Sequence, residues 1–205
     1  MQQNRKKTLY ASEQDSPRVR EQRDEYRRTL EQVDVRNLVF IDEASIHLGM
    51  VRLFARALRG QRAVDAVPRN RGTNVSVIGA LSLDGLIASM TLKGSVDTPA
   101  FLSYIHDVLI PQLWTGAIVV MDNLKVHHAH SVRTAIEAVG ARVVFLPPYS
   151  PDLSPIELCW SKLKQFLRSK AARTDQALDQ AMTEAVQYIT ENDALGWFNH
   201  CGLFT

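Results

Sequence analysis

The sequence predicts an α/β domain: a mixed central sheet with helices on both faces. Three observations carry that expectation. Leu38-Val39-Phe40-Ile41 and Ala117-Ile118-Val119-Val120-Met121 are short, wholly apolar runs, each followed by an aspartate, as strands buried on both faces read. A stretch rich in β-formers, 75–83, ends in Asp84-Gly85, a tight hairpin signal of the type I′ kind. Helical patterns then alternate with apolar strands, an order that favours parallel neighbours joined by right-handed crossovers. The hairpin ahead of that unit makes the sheet mixed.

Each element follows from its own residues. Residues 1 to about 16 are polar without periodicity and read as a loose arm. Ser16-Pro17 is a helix start, with proline at the first helical position. A charged helix is expected to about residue 32, with Val19, Tyr26 and Leu30 as its sparse apolar contacts. This divides the chain into a basic arm and linker helix, 1–34, and a compact domain, 35–205. After the hairpin, whose returning strand is 86–92, residues 99–109 place Phe101, Leu102, Ile105 and Leu109 on one helical face. Helix 130–139 stops at Gly140, and 142–146 is a further strand. Pro147-Pro148-Tyr149-Ser150-Pro151 reads as a stiff, extended loop. A helix from Ser154-Pro155 to about residue 170 and another over 175–191 complete the chain.

Bulk properties exclude several classes. The 205 residues are 45% hydrophobic and 22% charged, ordinary for a soluble globular protein. Net charge is only +2, but it is unevenly spread. Between Leu48 and Thr73 lie six arginines (Arg52, Arg56, Arg59, Arg62, Arg69 and Arg71) against one acid, Asp65. Residues 1–30 carry eight Lys or Arg against five Asp or Glu. Such runs are either solvated surface or a local attraction for phosphate. The two cysteines, Cys159 and Cys201, have neither disulfide-framework nor zinc-site spacing. The polar, basic start carries no signal peptide, and no run approaches 18 apolar residues, so no membrane is expected and a reducing cytoplasm is.

Asp42 and Asp122 occupy equivalent places, each at the carboxyl end of a short apolar strand. If those strands are parallel neighbours, both carboxylates emerge at the sheet edge where ligands of open α/β sheets bind. Two close like charges repel, and a divalent cation with a preference for hard oxygen, Mg²⁺ or Mn²⁺, removes that penalty. Glu157 stands in the first turn of the helix after the proline loop. Helix periodicity sets Glu157, Ser161, Lys164 and Arg168 on one stripe beside an apolar stripe of Ile156, Cys159, Trp160, Leu163 and Leu167. Each acid also has a structural reading. The aspartates suit turns or caps, and Ser154-Pro155-Ile156-Glu157 fits a capping box. Spacing alone supports a two-metal nuclease and nothing finer.

Three stretches together are more specific: Val39-Phe-Ile-Asp-Glu-Ala-Ser45, Val119-Val-Met-Asp-Asn-Leu-Lys-Val-His127, and Leu146-Pro-Pro-Tyr-Ser-Pro-Asp-Leu-Ser-Pro-Ile-Glu157 continuing through Trp160 to Lys164. They resemble the DDE transposases of the Tc/mariner superfamily, in its bacterial insertion-sequence branch. The family's acidic triad falls on Asp42, Asp122 and Glu157, and the 34 residues between the last two match that branch. The resemblance runs from about Lys7 to the carboxyl terminus. It implies a ribonuclease H-like fold, two Mg²⁺ or Mn²⁺ ions held by the triad, and DNA cleavage and strand transfer at transposon ends without a covalent protein–DNA intermediate. It implies double-stranded DNA as partner, usually with a TA target, and dimers on paired ends. Asn123 and His127 match the family and take supporting roles. His128 and His130 do not match, and read as surface residues. Glu43 is either near the metals or a solvated acid. The cations placed on the DNA path are Arg52, Arg56, Arg59, Lys125, Lys164 and Arg168.

One departure stands out. The family's amino-terminal helix-turn-helix region finds no room here, and residues 1–34 resemble the linker that follows it. The expectation is a chain whose amino-terminal half is separately encoded, or one cut short, bound to DNA mainly through phosphates and located in a bacterial cytoplasm, on the nucleoid when bound. Competing readings are a ribonuclease or junction resolvase of the same fold, against which the proline-rich run argues, and an inactive remnant serving only as a DNA- or protein-binding module.

Overall fold

In the computed structural model, which describes residues 11–52, 54–67, 72 and 74–204, five strands form one sheet. They are β1 (Leu38–Ile46), β2 (Val75–Ser82), β3 (Gly85–Lys93), β4 (Ile118–Met121) and β5 (Arg142–Phe145), in the order β3-β2-β1-β4-β5. β1 pairs antiparallel with β2 and parallel with β4. β2–β3 is antiparallel and β4–β5 parallel. The two most apolar runs of the sequence are therefore the sheet's central neighbours, and all four residues of β4 are buried.

Alternation along the strands feeds two cores. Leu38, Phe40, Ala44 and Ile46 of β1 face α1 (Pro17–Glu31), α4 (Pro155–Lys170), α5 (Asp175–Tyr188) and α6 (Glu191–His200). Val39 and Ile41 face the other layer, built on α2 (Thr98–Ser103), its continuation through a π-turn (Tyr104–Leu109), and α3 (His130–Ala138). This is the α/β architecture with helices on both faces, and its topology is ribonuclease H-like. The apolar stripe expected on α4 is buried in full, from Ile156 to Leu167. α1 packs through Val19, Arg23, Tyr26 and Leu30, and the last two join the core cluster of the sheet. Burying each apolar one stabilises by roughly 1.5–3 kcal/mol, which ties α1 to the domain. No helix among the described residues is long and apolar enough to cross a membrane.

Several local expectations need correction. β1 does not end at Asp42 but continues to Ile46, because β2 keeps pairing beyond the point where β4 stops. The hairpin turn is Leu83-Asp84, not Asp84-Gly85. Gly85 already pairs with Ser82 and carries the positive φ of +102°, while Asp84 does not, so the turn is not type I′. The loop after β5 is not simply extended: Tyr149 turns left-handed at φ +56° and Pro151–Leu153 coils into a 3-10 turn. The helix expected over 175–191 is two helices. Extended backbone at Ile189 ends α5, and Thr190 opens α6 with a capping box to Asp193. In the expected loose arm, residues 12–15 form a 3-10 turn, and 1–10 lie outside the described residues. Of the six arginines between β1 and β2, Arg69 and Arg71 also lie outside them.

Candidate active site

The parallel register pairs Phe40 with Val120. Carried two residues further, it sets Asp42 level with Asp122, on the sheet face that Phe40 and Val120 share. α4 crosses that face and brings Glu157 in its first turn. All three acids line one cavity of about 320 Å³, with Asn123 and the loop 146–151 as further walls. The capping-box reading of Glu157 fails: Ser154 opens α4 without a side-chain bond to the helix. The Glu157 side chain is exposed, and among the described residues it accepts no hydrogen bond, which leaves its oxygens free for a ligand.

The acids affect each other's protonation. Burial pushes the Asp42 carboxyl up to about 7, and the charges of Glu157 and Glu43 add to that, against hydrogen bonds from the Glu43 amide and Trp160. Glu157 is also raised, by burial first, with Lys164 opposing and Asp122 reinforcing. Asp122 is partly buried yet held below the usual carboxylate range by His127 and the Leu124 amide. Asp42 and Glu157, each raised by burial and by a neighbouring acid charge in one cavity with Asp122, form an arrangement a cation relieves.

Neighbouring side chains orient the aspartates. Trp160 Nε1 donates to Asp42 Oδ2 at 2.9 Å, and its indole fills the space opposite Asp42 on β2, where Gly79 stands. His127 is buried, with Nδ1 2.7 Å from Asp122 Oδ1 and Nε2 2.9 Å from Glu43 Oε1. Burial alone would lower its pKa, but the two carboxylates carry it up to about 9, so both ring nitrogens donate. Phe101 packs on the imidazole, ring centres 4.6 Å apart. Glu43 is thus no solvated acid: its Oε2 is buried without a partner among the described residues, as is the nearby Tyr104 hydroxyl at the start of the π-turn. Asn123 Nδ2 donates to Leu146 O at 2.6 Å and so ties the loop after β4 to the end of β5. His128 and His130 are exposed, His128 stacked on Phe145. Sequence reasoning missed Trp160, Gly79 and Tyr104, whose roles depend on tertiary contact.

The cations divide. Lys164 acts on Glu157. Lys125 is exposed in the turn that follows Asp122 and Asn123. Arg52 and Arg168 line a separate, open hollow of about 840 Å³ with Ser161, Phe166 and Tyr188. Arg56 and Arg59 are exposed on the segment between β1 and β2 and line neither space.

Asp42, Asp122 and Glu157 present only hard oxygen donors, which fit Mg²⁺ or Mn²⁺. Among the described residues no three His, Cys, Asp or Glu side chains already converge tightly enough to hold one ion. The three acids share the walls of one cavity.

The family model described as DDE superfamily endonuclease matches residues 37–179, a span that contains all three acids. Comparison with curated protein sequences returned no match. Among solved structures, the chain superposes on the Mos1 transposase paired-end complex with left transposon end with a TM-score of 0.76 at 19% identity, covering 98% of this chain and 64% of that one. The Mos1 mariner paired-end complex with Mn gives a TM-score of 0.77 at 17% identity, over 98% and 64%. The isolated catalytic domain of Mos1 mariner transposase gives 0.69 at 16% identity, over 96% of this chain and 92% of that one. The chain therefore spans 64% of the length of the Mos1 chains in the two paired-end complexes.

Proposed function

The chain belongs to the DDE superfamily endonucleases, and from that premise we propose that it is the catalytic domain of a transposase of the Tc/mariner superfamily, in the bacterial insertion-sequence branch. The observation that carries the proposal is the joint one: acids from β1, from the end of β4 and from the first turn of α4 line one cavity, where burial first and neighbouring acid charge second raise the proton affinity of Asp42 and Glu157. The 34 residues between Asp122 and Glu157 and the proline-rich run before Glu157 support the branch.

In this reading Asp42, Asp122 and Glu157 hold two Mg²⁺ or Mn²⁺ ions, which supply the charge that activates the attacking hydroxyl and stabilises the leaving oxygen. The protein's own contribution is alignment. Trp160 fixes one oxygen of Asp42, whose carboxylate lines the cavity. The His127 imidazolium orients Asp122 and keeps it ionised, so that Asp122 acts as a ligand and not as a proton store. Asn123 ties the loop after β4 to the end of β5 beside the cavity. Lys164, with Arg168, Lys125, Arg52, Arg56 and Arg59, meets the phosphates of double-stranded DNA, transposon ends and a TA target. The similarity to Mos1 transposase solved in paired-end complex with a transposon end supports a DNA partner, and a homodimer on paired ends is part of the proposal. The setting proposed is a bacterial cytoplasm.

The test is a strand-cleavage and strand-transfer assay on end DNA with Mn²⁺. Nicking by the wild type that Asp122→Asn abolishes is expected. DNA binding without cleavage under every condition would favour the inactive remnant instead.

A further inference from the structure

The proline-rich turn that precedes Glu157 is held from outside by the amino-terminal helix. Tyr149 sits in the left-handed region, φ +56°, which costs a non-glycine residue about 1 kcal/mol or more and persists only where the surroundings fix it. The fixing groups are identifiable. Arg23 of α1 donates Nη1 to Ser150 Oγ at 2.8 Å and to Asp152 Oδ1 at 3.0 Å, and Nη2 to Asp152 Oδ2 at 2.7 Å. Gln14 Nε2 donates to Tyr149 O and to Asp152 Oδ1, both at 3.0 Å. The Arg23 side chain is only 11% exposed, so its charge is directed at this turn and not at solvent.

The turn passes that order on to the cavity. Ser150 Oγ donates back to Pro148 O, and Ser150 O accepts the Leu153 amide. Pro151 O accepts the Ser154 amide, and Ser154 O accepts the Glu157 amide at 3.2 Å. Ser154 itself does not cap α4 with its side chain, so the entry angle of the helix depends on the turn before it. Tyr149, Ser150 and Pro151 are also cavity walls.

We infer that Arg23, assisted by Gln14, is a positioning residue for Glu157: its forked bonds to Ser150 and Asp152 hold the 149–152 turn, and through it the first turn of α4, at the distance from Asp42 and Asp122 that the site requires. The guanidinium fork matches the carboxylate, and a Lys point charge reproduces only part of that geometry. The assignment rests on the proposed function for what the cavity does, but not for how the turn is held.

The test compares Arg23→Met with Leu30→Ala, a control that weakens α1 docking without removing any hydrogen bond to the turn, and with the conservative Arg23→Lys. The first readout is amide exchange in metal-free protein at Tyr149, Ser150, Asp152, Leu153, Ser154, Ile156 and Glu157. Arg23→Met is expected to speed exchange there at least tenfold, Arg23→Lys less, and Leu30→Ala not selectively. The second readout is Mn²⁺ affinity, expected to fall several-fold in Arg23→Met alone. Where Arg23→Met does not fold, Asp152→Asn, altered on the half-exposed partner, takes its place with the same expectations. Unchanged exchange over this segment, or an equal rise in Leu30→Ala, overturns the inference. A wild type that binds no Mn²⁺ counts against the proposed function and leaves the exchange result to decide the positioning role.

Discussion

Gly79→Ala should damage the site from the neighbouring strand. Gly79 pairs with Asp42 across β1 and β2. A Cβ there would stand 2.6 Å from Trp160 Cη2, 3.3 Å from its Cζ2 and 3.0 Å from Leu86 Cδ1. Ordinary carbon contacts are about 3.5–4.0 Å, so the indole must retreat by roughly 1 Å. Trp160 is 3% exposed and packed on every side, which leaves it no easy path. The same retreat would stretch its 2.9 Å bond to Asp42 beyond hydrogen-bonding range. Overpacking costs about 1–3 kcal/mol and a lost bond to a carboxylate about 1.5–3 kcal/mol. Because burial raises the Asp42 carboxyl to about 7, which weakens the bond at neutral pH, the lower part of the summed range, about 2.5–4 kcal/mol, is expected. For a domain of this size that is a fall of roughly 5–15 °C in melting temperature, read by calorimetry in metal-free buffer. The double variant sharpens the test. Phenylalanine at 160 is smaller and has no donor, so Gly79→Ala in the Trp160→Phe background should cost less than about 1 kcal/mol, a coupling of 1 kcal/mol or more. A melting temperature within 2 °C or so of wild type, or the same loss in both backgrounds, would refute the packing argument.

Other perturbations probe separate features. Lys164→Ala and Arg168→Ala should each weaken DNA binding and reduce the slope of log affinity against log salt by about 0.9, whereas an unaltered slope removes α4 from the DNA path. Asp193 is pulled below its ordinary pKa: burial opposes this, but hydrogen bonds from Lys162 and Thr190 prevail. A lowered folded pKa contributes stability above the unfolded value, about 3.9, that disappears as pH falls through the folded one. Asp193→Asn should therefore flatten the acid limb of the stability curve below about pH 4, and an acid limb identical to wild type would dismiss the α6 cap as its source. Tyr104→Phe removes a buried hydroxyl that has no partner among the described residues, so stability should hold or rise by up to about 1 kcal/mol, and a loss larger than that would mean the hydroxyl is bonded.

What the sequence made legible depended on how local each signal was. The runs 38–41 and 117–121 announced central strands because burial on both faces leaves no polar alternation to confuse the reading. The α4 stripes were equally readable from helical period, and every apolar member is buried. Asp42 was placed at a strand end because the apolar run stops there. The strand continues because β2 supplies partners to Ile46, which is a tertiary fact. The split between α5 and α6 was within reach: Thr190 and Asp193 have capping-box spacing inside the stretch read as one helix. Glu43 follows Asp42 and so faces the opposite layer, but its partner His127 lies 84 residues away. Arg23, 129 residues from Asp152, gave no local sign beyond being one more charge on a charged helix.

The central claim, that Asp42, Asp122 and Glu157 together hold divalent cations, is tested most directly by Mn²⁺ titration followed by electron paramagnetic resonance. Wild type should bind saturably, and Asp42→Asn, Asp122→Asn and Glu157→Gln should each weaken binding at least tenfold while remaining folded. Equal Mn²⁺ affinity in wild type and all three variants would contradict the account.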